Sequence, residues 1–97
     1  MSKKTVKAHI SWVPFEEGGR KRILPVGMRY CPIIVFEFET APKTLWSAEV
    51  YNTAITGNAS VADVSYLADD APYHLLQPRS KFFLYEGQRV VAEGVIV

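Results

Sequence analysis

The sequence predicts an all-β protein, folded as a small barrel or sandwich. Short apolar or alternating segments recur along the chain, six prolines and six glycines separate them, and helical periodicity is poor. Ninety-seven residues fit a single domain over positions 1–97, and the hydrophobic fraction of 48% is ordinary for a folded chain. Each strand can be justified in turn along the chain.

The first strand is predicted over residues 5–13, where apolar and polar side chains alternate. Its apolar face contains Val6, Ala8, Ile10 and Trp12. Pro14 ends the strand because proline cannot donate a ladder hydrogen bond. Residues 15–25 contain Gly18-Gly19 and a basic triplet, and this composition predicts a loop or a hairpin tip.

The middle of the chain contains further strand patterns bounded by turn residues. A Gly57-Asn58 pair marks one turn between them. The predicted strands cover residues 33–39, 45–51, 61–67 and, more weakly, 73–76.

The last predicted element is an apolar hairpin, with strands on either side of Gly87-Gln88. With these two residues as the loop, Glu86 is expected to face Arg89 as a cross-strand charge pair. One face is expected to contain Phe83, Tyr85, Val90 and Ala92; the other is expected to contain Phe82, Leu84, Val91 and Val95. A hairpin that is apolar on both faces needs cover on both, so one face should meet a loop or a partner.

Charge and cysteine content restrict the class of protein. The net charge of +1 creates no strong global field for nucleic acid or anionic lipid. The lone Cys31 excludes an internal disulfide and a multi-thiolate metal site within one chain, and its apolar neighbours suggest a small buried residue. No apolar run reaches the length of a membrane span, and no secretory h-region follows the basic N-terminus. We therefore expect a cytoplasmic protein with no membrane partner.

The sequence offers no catalytic constellation. Asp69 and Asp70 lie shortly before His74, but these carboxylates are more readily explained as turn residues ahead of Pro72. The Gly-Gly-Arg-Lys stretch at 18–21 lacks the glycine spacing, the Lys-Ser/Thr ending and the helix of a phosphate loop. No Gly-x-Ser-x-Gly is present. We therefore expect a non-enzymatic protein without cofactor, metal or nucleotide.

Two segments, in order and at their observed separation, carry a family resemblance. The first runs Glu16-Glu17-Gly18-Gly19-Arg20 and continues to Pro25-Val26-Gly27, Arg29 and Pro32. The second reads FLYEGQRVVAEGV over residues 83–95. Together they resemble the third, C-terminal β-barrel domain of elongation factor Tu, over about residues 6–97. The resemblance implies a closed six-stranded antiparallel barrel and nothing about GTP hydrolysis.

The resemblance also implies contact residues. In the family, this barrel packs on its sister domains and helps to hold the T stem of aminoacyl-tRNA, and a Glu-Gly in the hairpin touches the RNA backbone. Glu86 and Gly87 occupy those positions here. Ile33 replaces a family glutamine that also touches the RNA, and isoleucine offers no hydrogen-bond donor. The residues that could supply charge instead are Arg20, Lys21, Arg22 and Arg89.

Two main hypotheses follow for the function. The first is a non-catalytic interaction module that binds a protein partner, or a second copy of itself, through the barrel surface. In this role it could act as a decoy, an antagonist or an immunity-type protein. The second is a small RNA-binding barrel that contacts a tRNA-like backbone through Glu86, Gly87 and Arg89. The basic triplet at 20–22 would then steer the RNA.

Overall fold

The computed structural model describes residues 4–19, 22–39 and 44–97. Within these ranges it contains seven strands and two short 3₁₀ turns. The strands are β1 (Val6–Trp12), β2 (Arg29–Tyr30), β3 (Ile33–Phe36), β4 (Trp46–Thr56), β5 (Ala59–Tyr66), β6 (Lys81–Glu86) and β7 (Arg89–Ile96). The 3₁₀ turns are Phe15–Glu17 and Tyr73–Leu75.

Six of the strands close into an antiparallel barrel. The order around the barrel is β4, β3, β6, β7, β1 and β5, and β5 pairs back onto β4. The short β2 pairs with β4 at Arg29–Tyr51 and Tyr30–Val50, as one strand additional to the ring. The all-β prediction and the closed six-stranded antiparallel barrel are therefore confirmed.

The barrel interior is filled by one side-chain set from each strand. The inward residues of β1 are Ala8, Ile10 and Trp12, as their alternation predicts. Residues 67–80 close one end of this core, and Leu76 within this segment is fully buried. The Tyr73 hydroxyl donates to the carbonyl oxygen of Ala68 at 2.8 Å, which holds this segment in place.

Both long hairpins turn on a glycine. Gly57 and Gly87 have φ values of +59° and +63°, whereas Asn58 and Gln88, which follow them, have negative φ. A glycine with positive φ at the first loop position defines a turn whose twist matches that of the flanking strands. The expected Gly87-Gln88 loop is thus confirmed, and Glu86 does pair with Arg89 across it.

One predicted strand is wrong, and two others end at different residues from those expected. The strand expected over 45–51 continues to Thr56 as β4, because its second half pairs with β5 up to the turn at Gly57. Residues 73–76 form the 3₁₀ turn Tyr73–Leu75, because this segment crosses the barrel end, and backbone bonds such as Leu76 N–H to Tyr73 O close locally. The strand expected over 33–39 stops at Phe36, whose N–H donates to the Glu39 carboxylate at 3.0 Å. This local bond competes with further ladder pairing.

The expected faces of the closing hairpin also need correction. A β-bulge shifts the register between Leu84 and Tyr85, so that Leu84 pairs with Ala92 and Tyr85 pairs with Val90. The extra residue, Val91, is buried. Because the bulge resets the alternation, Ala92 points into the core and Val95 points outward, opposite to the sequence expectation.

Gly94 of β7 lies directly beneath the ring of Phe82, its cross-strand partner on β6. A Cβ atom added at Gly94 would lie 2.4 Å from Cζ of Phe82. The ring therefore fills the space that a side chain would occupy, and Phe82 is fully buried as a result. This position requires glycine for packing, since Gly94 does not adopt a positive φ.

We expect Gly94→Ala to lower the free energy of unfolding by about 1–3 kcal/mol, because the added methyl group must displace the Phe82 ring. Urea denaturation followed by circular dichroism measures this change. The matched control is Val95→Ala on the same strand, where the side chain is exposed. Equal stability of the two variants would contradict the packing role of Gly94.

Burial, with further contributions from Glu39 and Tyr73, raises the pKa of Tyr66 well above its ordinary value of 10.0. The folded state therefore keeps the phenol proton at pH values where the unfolded chain loses it. The contribution of this proton to stability is complete below about pH 10 and declines above it, by up to about 1.4 kcal/mol per pH unit.

We expect Tyr66→Phe to remove this decline, so the stability of the native chain relative to that of the variant should fall from pH 9 to pH 11. Urea denaturation at several pH values measures the difference. Tyr51→Phe, at a half-buried tyrosine on the outer side of β4, is the control. A difference that does not depend on pH would refute the assignment.

Candidate functional site

The outer surface of the barrel differs between its two sides. On β1 the outward side chains are polar, and Lys7 forms a 2.9 Å ion pair with Asp63 of β5. The outward set of β5 is mixed, with Ala59 and Val61 beside Asp63. His9 is exposed on the same surface. Such side chains need no further cover, so this half of the barrel has the composition of an ordinary solvated face.

The opposite side carries apolar side chains outward, on β3, β6 and the start of β7. Cross-strand pairs join Ile33 to Tyr85 and Val35 to Phe83, and Tyr85 in turn pairs with Val90. Leu45, just before β4, lies beside them and is 61% exposed. We call this surface the β3–β6 face; it consists of Ile33, Val35, Leu45, Phe83, Tyr85 and Val90.

A shallow groove of about 330 Å³ lies in the β3–β6 face beside the hairpin turn. It is lined by Ile33, Val35, Leu45, Tyr85, Gly87 and Gln88. Most of this lining is apolar, and the turn supplies its one polar end. Gly87 therefore contributes to the candidate site as part of a groove wall.

Charged residues border the β3–β6 face at the end away from the hairpin turn and on its β7 side, where Glu93 pairs with Phe83. The Lys81 ammonium lies 3.5 Å from a Glu37 carboxylate oxygen and 3.9 Å from one of Glu93. The same ammonium sits 5.6 Å from the centre of the Phe83 ring, within cation–π range. Among the described residues, one cation thus faces two carboxylates, which leaves one negative charge in excess in this cluster.

Glu86 and Arg89, both candidates from sequence, do lie together. Their side chains form an ion pair at 3.3 Å, and the Tyr30 hydroxyl donates to the other oxygen of the Glu86 carboxylate. Tyr30 also packs against Trp12, with ring centroids 5.8 Å apart. The Glu86 carboxylate therefore joins β2 to the closing hairpin.

Of the basic triplet, Arg22 alone falls within the described residues. Arg20 and Lys21 lie outside the described residues. Arg22 lines a separate cleft of about 500 Å³ at the barrel end, together with Phe15 and Ile55. Of the described candidates, the structure therefore brings together Glu86, Gly87 and Arg89, whereas Arg22 borders another cleft.

A buried chain of hydrogen bonds fixes the loop that follows Arg22. The indole N–H of Trp12 donates to the Ser60 hydroxyl at 2.9 Å, and that hydroxyl donates to the Asn52 side-chain oxygen at 2.8 Å. The Asn52 amide nitrogen then donates to the Leu24 carbonyl oxygen at 2.9 Å. Three strands and one loop are thereby joined by fully paired polar groups.

Sequence reasoning missed Ile33, Val35 and Leu45 as surface residues. The signal was present, because β3 is apolar at four consecutive positions and so cannot bury both of its faces in one core. Alternate residues of β3 point inward, and the same alternation continued backward places Pro32 inside and Cys31 outside. Cys31 is therefore exposed, and the burial predicted for it from its apolar neighbours is wrong. Alternation in the preceding loop is too irregular to give this parity from sequence.

Among residues 4–19, 22–39 and 44–97, no group of three or more His, Cys, Asp or Glu side chains could hold a metal ion. Across the same ranges, no helix is both long and apolar enough to span a bilayer.

In comparisons with known proteins, no protein-family model and no curated protein matches the sequence.

We expect Ser60→Ala to lower the free energy of unfolding by about 1–3 kcal/mol, because it leaves the Trp12 donor and the Asn52 acceptor unpaired in a buried site. Chemical denaturation with tryptophan fluorescence measures the loss. Ser11→Ala removes a hydroxyl from an exposed position of β1 and serves as the control. If both variants lose the same stability, the buried chain of bonds contributes nothing specific.

Proposed function

We propose that this chain is a non-catalytic interaction module that binds a protein partner through the β3–β6 face. The observation that carries the proposal is the outward apolar surface formed by the pairs Ile33–Tyr85 and Val35–Phe83 on a barrel that is already closed. Because the core lies on the other side of these strands, it cannot cover this surface.

The composition of the β3–β6 face supports binding of protein. Phe83 and Tyr85 are large aromatic side chains of the kind that dominate interface energies, and aliphatic side chains surround them. Leu45 adds an exposed leucine beside the groove. Apolar contacts bordered by charges at one end are the usual arrangement of a small protein interface.

The resemblance to the third domain of elongation factor Tu stays a prediction, since no family model or curated protein matches the chain. It is consistent with the proposal, because in that family the barrel works by packing against other domains. An isolated barrel of this kind would compete for surfaces that such a domain contacts. A decoy, antagonist or immunity-type role is the extension of the proposal that this reasoning favours.

The RNA-binding alternative has less support from the described surface. Lys7, Arg29 and Arg89 each form an ion pair with a carboxylate of the chain. The Glu86 carboxylate, the proposed backbone contact, already accepts a hydrogen bond from Tyr30. Phosphate contacts need available donors, and these donors would first have to leave their partners.

The proposal can be tested by affinity capture from native cytosol with matched variants. Leu45→Glu introduces a charge on the β3–β6 face at an exposed position, and Ile55→Glu makes the same change beside the other cleft. We expect a specific partner to be retained by the native chain and by Ile55→Glu. Leu45→Glu should weaken that binding about tenfold or more, as burial of an unpaired charge requires. Equal retention of the partner by Leu45→Glu and Ile55→Glu would contradict the proposed face.

A parallel titration with labelled tRNA at several salt concentrations separates the protein-binding and RNA-binding hypotheses. Binding of tRNA that falls steeply with salt and is lost in Arg89→Gln would favour the RNA-binding alternative instead.

A further inference from the structure

We infer that the partner presents a short extended segment to the β3–β6 face, with two apolar side chains two residues apart and a basic side chain two residues further on. This inference rests on the proposed function and specifies the chemistry of the partner. It follows from the size of the face, the spacing of its rows and the charge at its border.

The size of the face favours a short segment over a folded surface. Five of its six apolar side chains lie on three strands in two residue rows, with Leu45 beside them, which amounts to on the order of 200 Å² in projection at ordinary strand spacings. A stable interface between globular proteins buries about 800 Å² of accessible surface on each side, several times this projected area. A second copy of this chain, docked through this face alone, would fall well short of that area.

The rows of the face repeat at the spacing of an extended chain. Along β6, Tyr85 lies in the first row, Phe83 in the second and Lys81 in the third, each two residues from the next. Two residues of strand span about 6.8 Å, and an extended segment running along β6 repeats its side chains at the same distance. A helix repeats at about 6 Å per four residues, so its third side chain lies about 1.6 Å short of the third row, a poorer match than that of an extended chain.

The groove accounts for the first apolar side chain. Its volume of about 330 Å³ is at the lower end of the range for binding pockets, and its lining is mainly apolar. Such a space accepts one aliphatic or aromatic side chain of a bound segment. The second apolar side chain then meets Val35 and Phe83 in the next row.

The charged border accounts for the basic side chain. Lys81 and Glu37 lie in the third row, and Glu93 pairs with Phe83 in the second row, yet both carboxylates reach the Lys81 ammonium. Among the described residues, this cluster therefore carries one carboxylate in excess. The Glu37 and Glu93 side chains are 61% and 51% exposed, and each is therefore accessible to a lysine or arginine of the partner. The attraction is that of an exposed ion pair, so it adjusts affinity and weakens in salt.

The test uses the full chain, labelled with ¹⁵N, and synthetic capped peptides followed by NMR. The probe peptide has leucine at two positions separated by one serine, then serine, then lysine, and it is made in both chain directions. A second peptide replaces lysine with glutamate, and a third places the two leucines side by side. A fourth carries the same three side chains four residues apart in a helix-forming sequence.

We expect the lysine peptide, in at least one direction, to shift the amide signals of Ile33, Val35, Phe83 and Tyr85. At low salt it should bind about threefold tighter than the glutamate peptide, and the difference should vanish in the variant Glu37→Gln with Glu93→Gln. The peptide with adjacent leucines should bind more weakly, because its side chains do not match the rows.

Several results would overturn the inference. These are shifts confined to other surfaces or no shifts at all, equal binding of the lysine and glutamate peptides, or tighter binding of the helical peptide. A dimer in sedimentation velocity that is lost in Leu45→Glu would make a second copy the occupant of the face. If capture of a partner still depends on Leu45 while no peptide binds, the segment chemistry is wrong and the proposed function survives.

Discussion

Closure of the barrel is the constraint on which the rest of this structure depends. Because β4 pairs with both β3 and β5, the six strands share one interior and each strand has only one set of side chains in it. The pairing between β4 and β5 is the longest ladder and extends to the turn at Gly57. Apolar residues beyond that inner set must lie outside, and on β3 and β6 they do.

Several residues that carry the family resemblance have a structural explanation within this chain. Gly18 has a φ of +97°, and a Cβ atom added at Gly19 would lie 1.7 Å from the Val13 carbonyl oxygen. Gly94 makes room for the Phe82 ring. These glycines are required by the backbone and the core, so their presence alone does not indicate a ligand. Glu86 likewise has a structural role, since Tyr30 and Arg89 both bond to it.

Much of the fold could be predicted because the pattern was regular. The alternation in β1 gave its core residues, and the Gly87-Gln88 pair gave the register beside the closing turn. Prediction failed where tertiary context decided the conformation. The segment at Tyr73 has β-like composition, yet it crosses the barrel end, where it forms local hydrogen bonds. The four consecutive apolar residues of β3 indicate that some of them lie outside the core. Which residues of other strands complete the β3–β6 face depends on strand neighbours, and sequence alone does not supply these.

The β-bulge in the closing hairpin determines which residue of β7 borders the β3–β6 face beyond Val90. With strict alternation from Val90 onward, Glu93 would point into the core, and Ala92 and Gly94 would point outward. The extra residue at Val91 reverses this parity, so that Glu93 reaches the surface beside Lys81 and Gly94 meets Phe82. A buried carboxylate would cost several kcal/mol, and this cost favours the bulge. The position of one glutamate thus both selects the register of β7 and provides a carboxylate at the border of the apolar face.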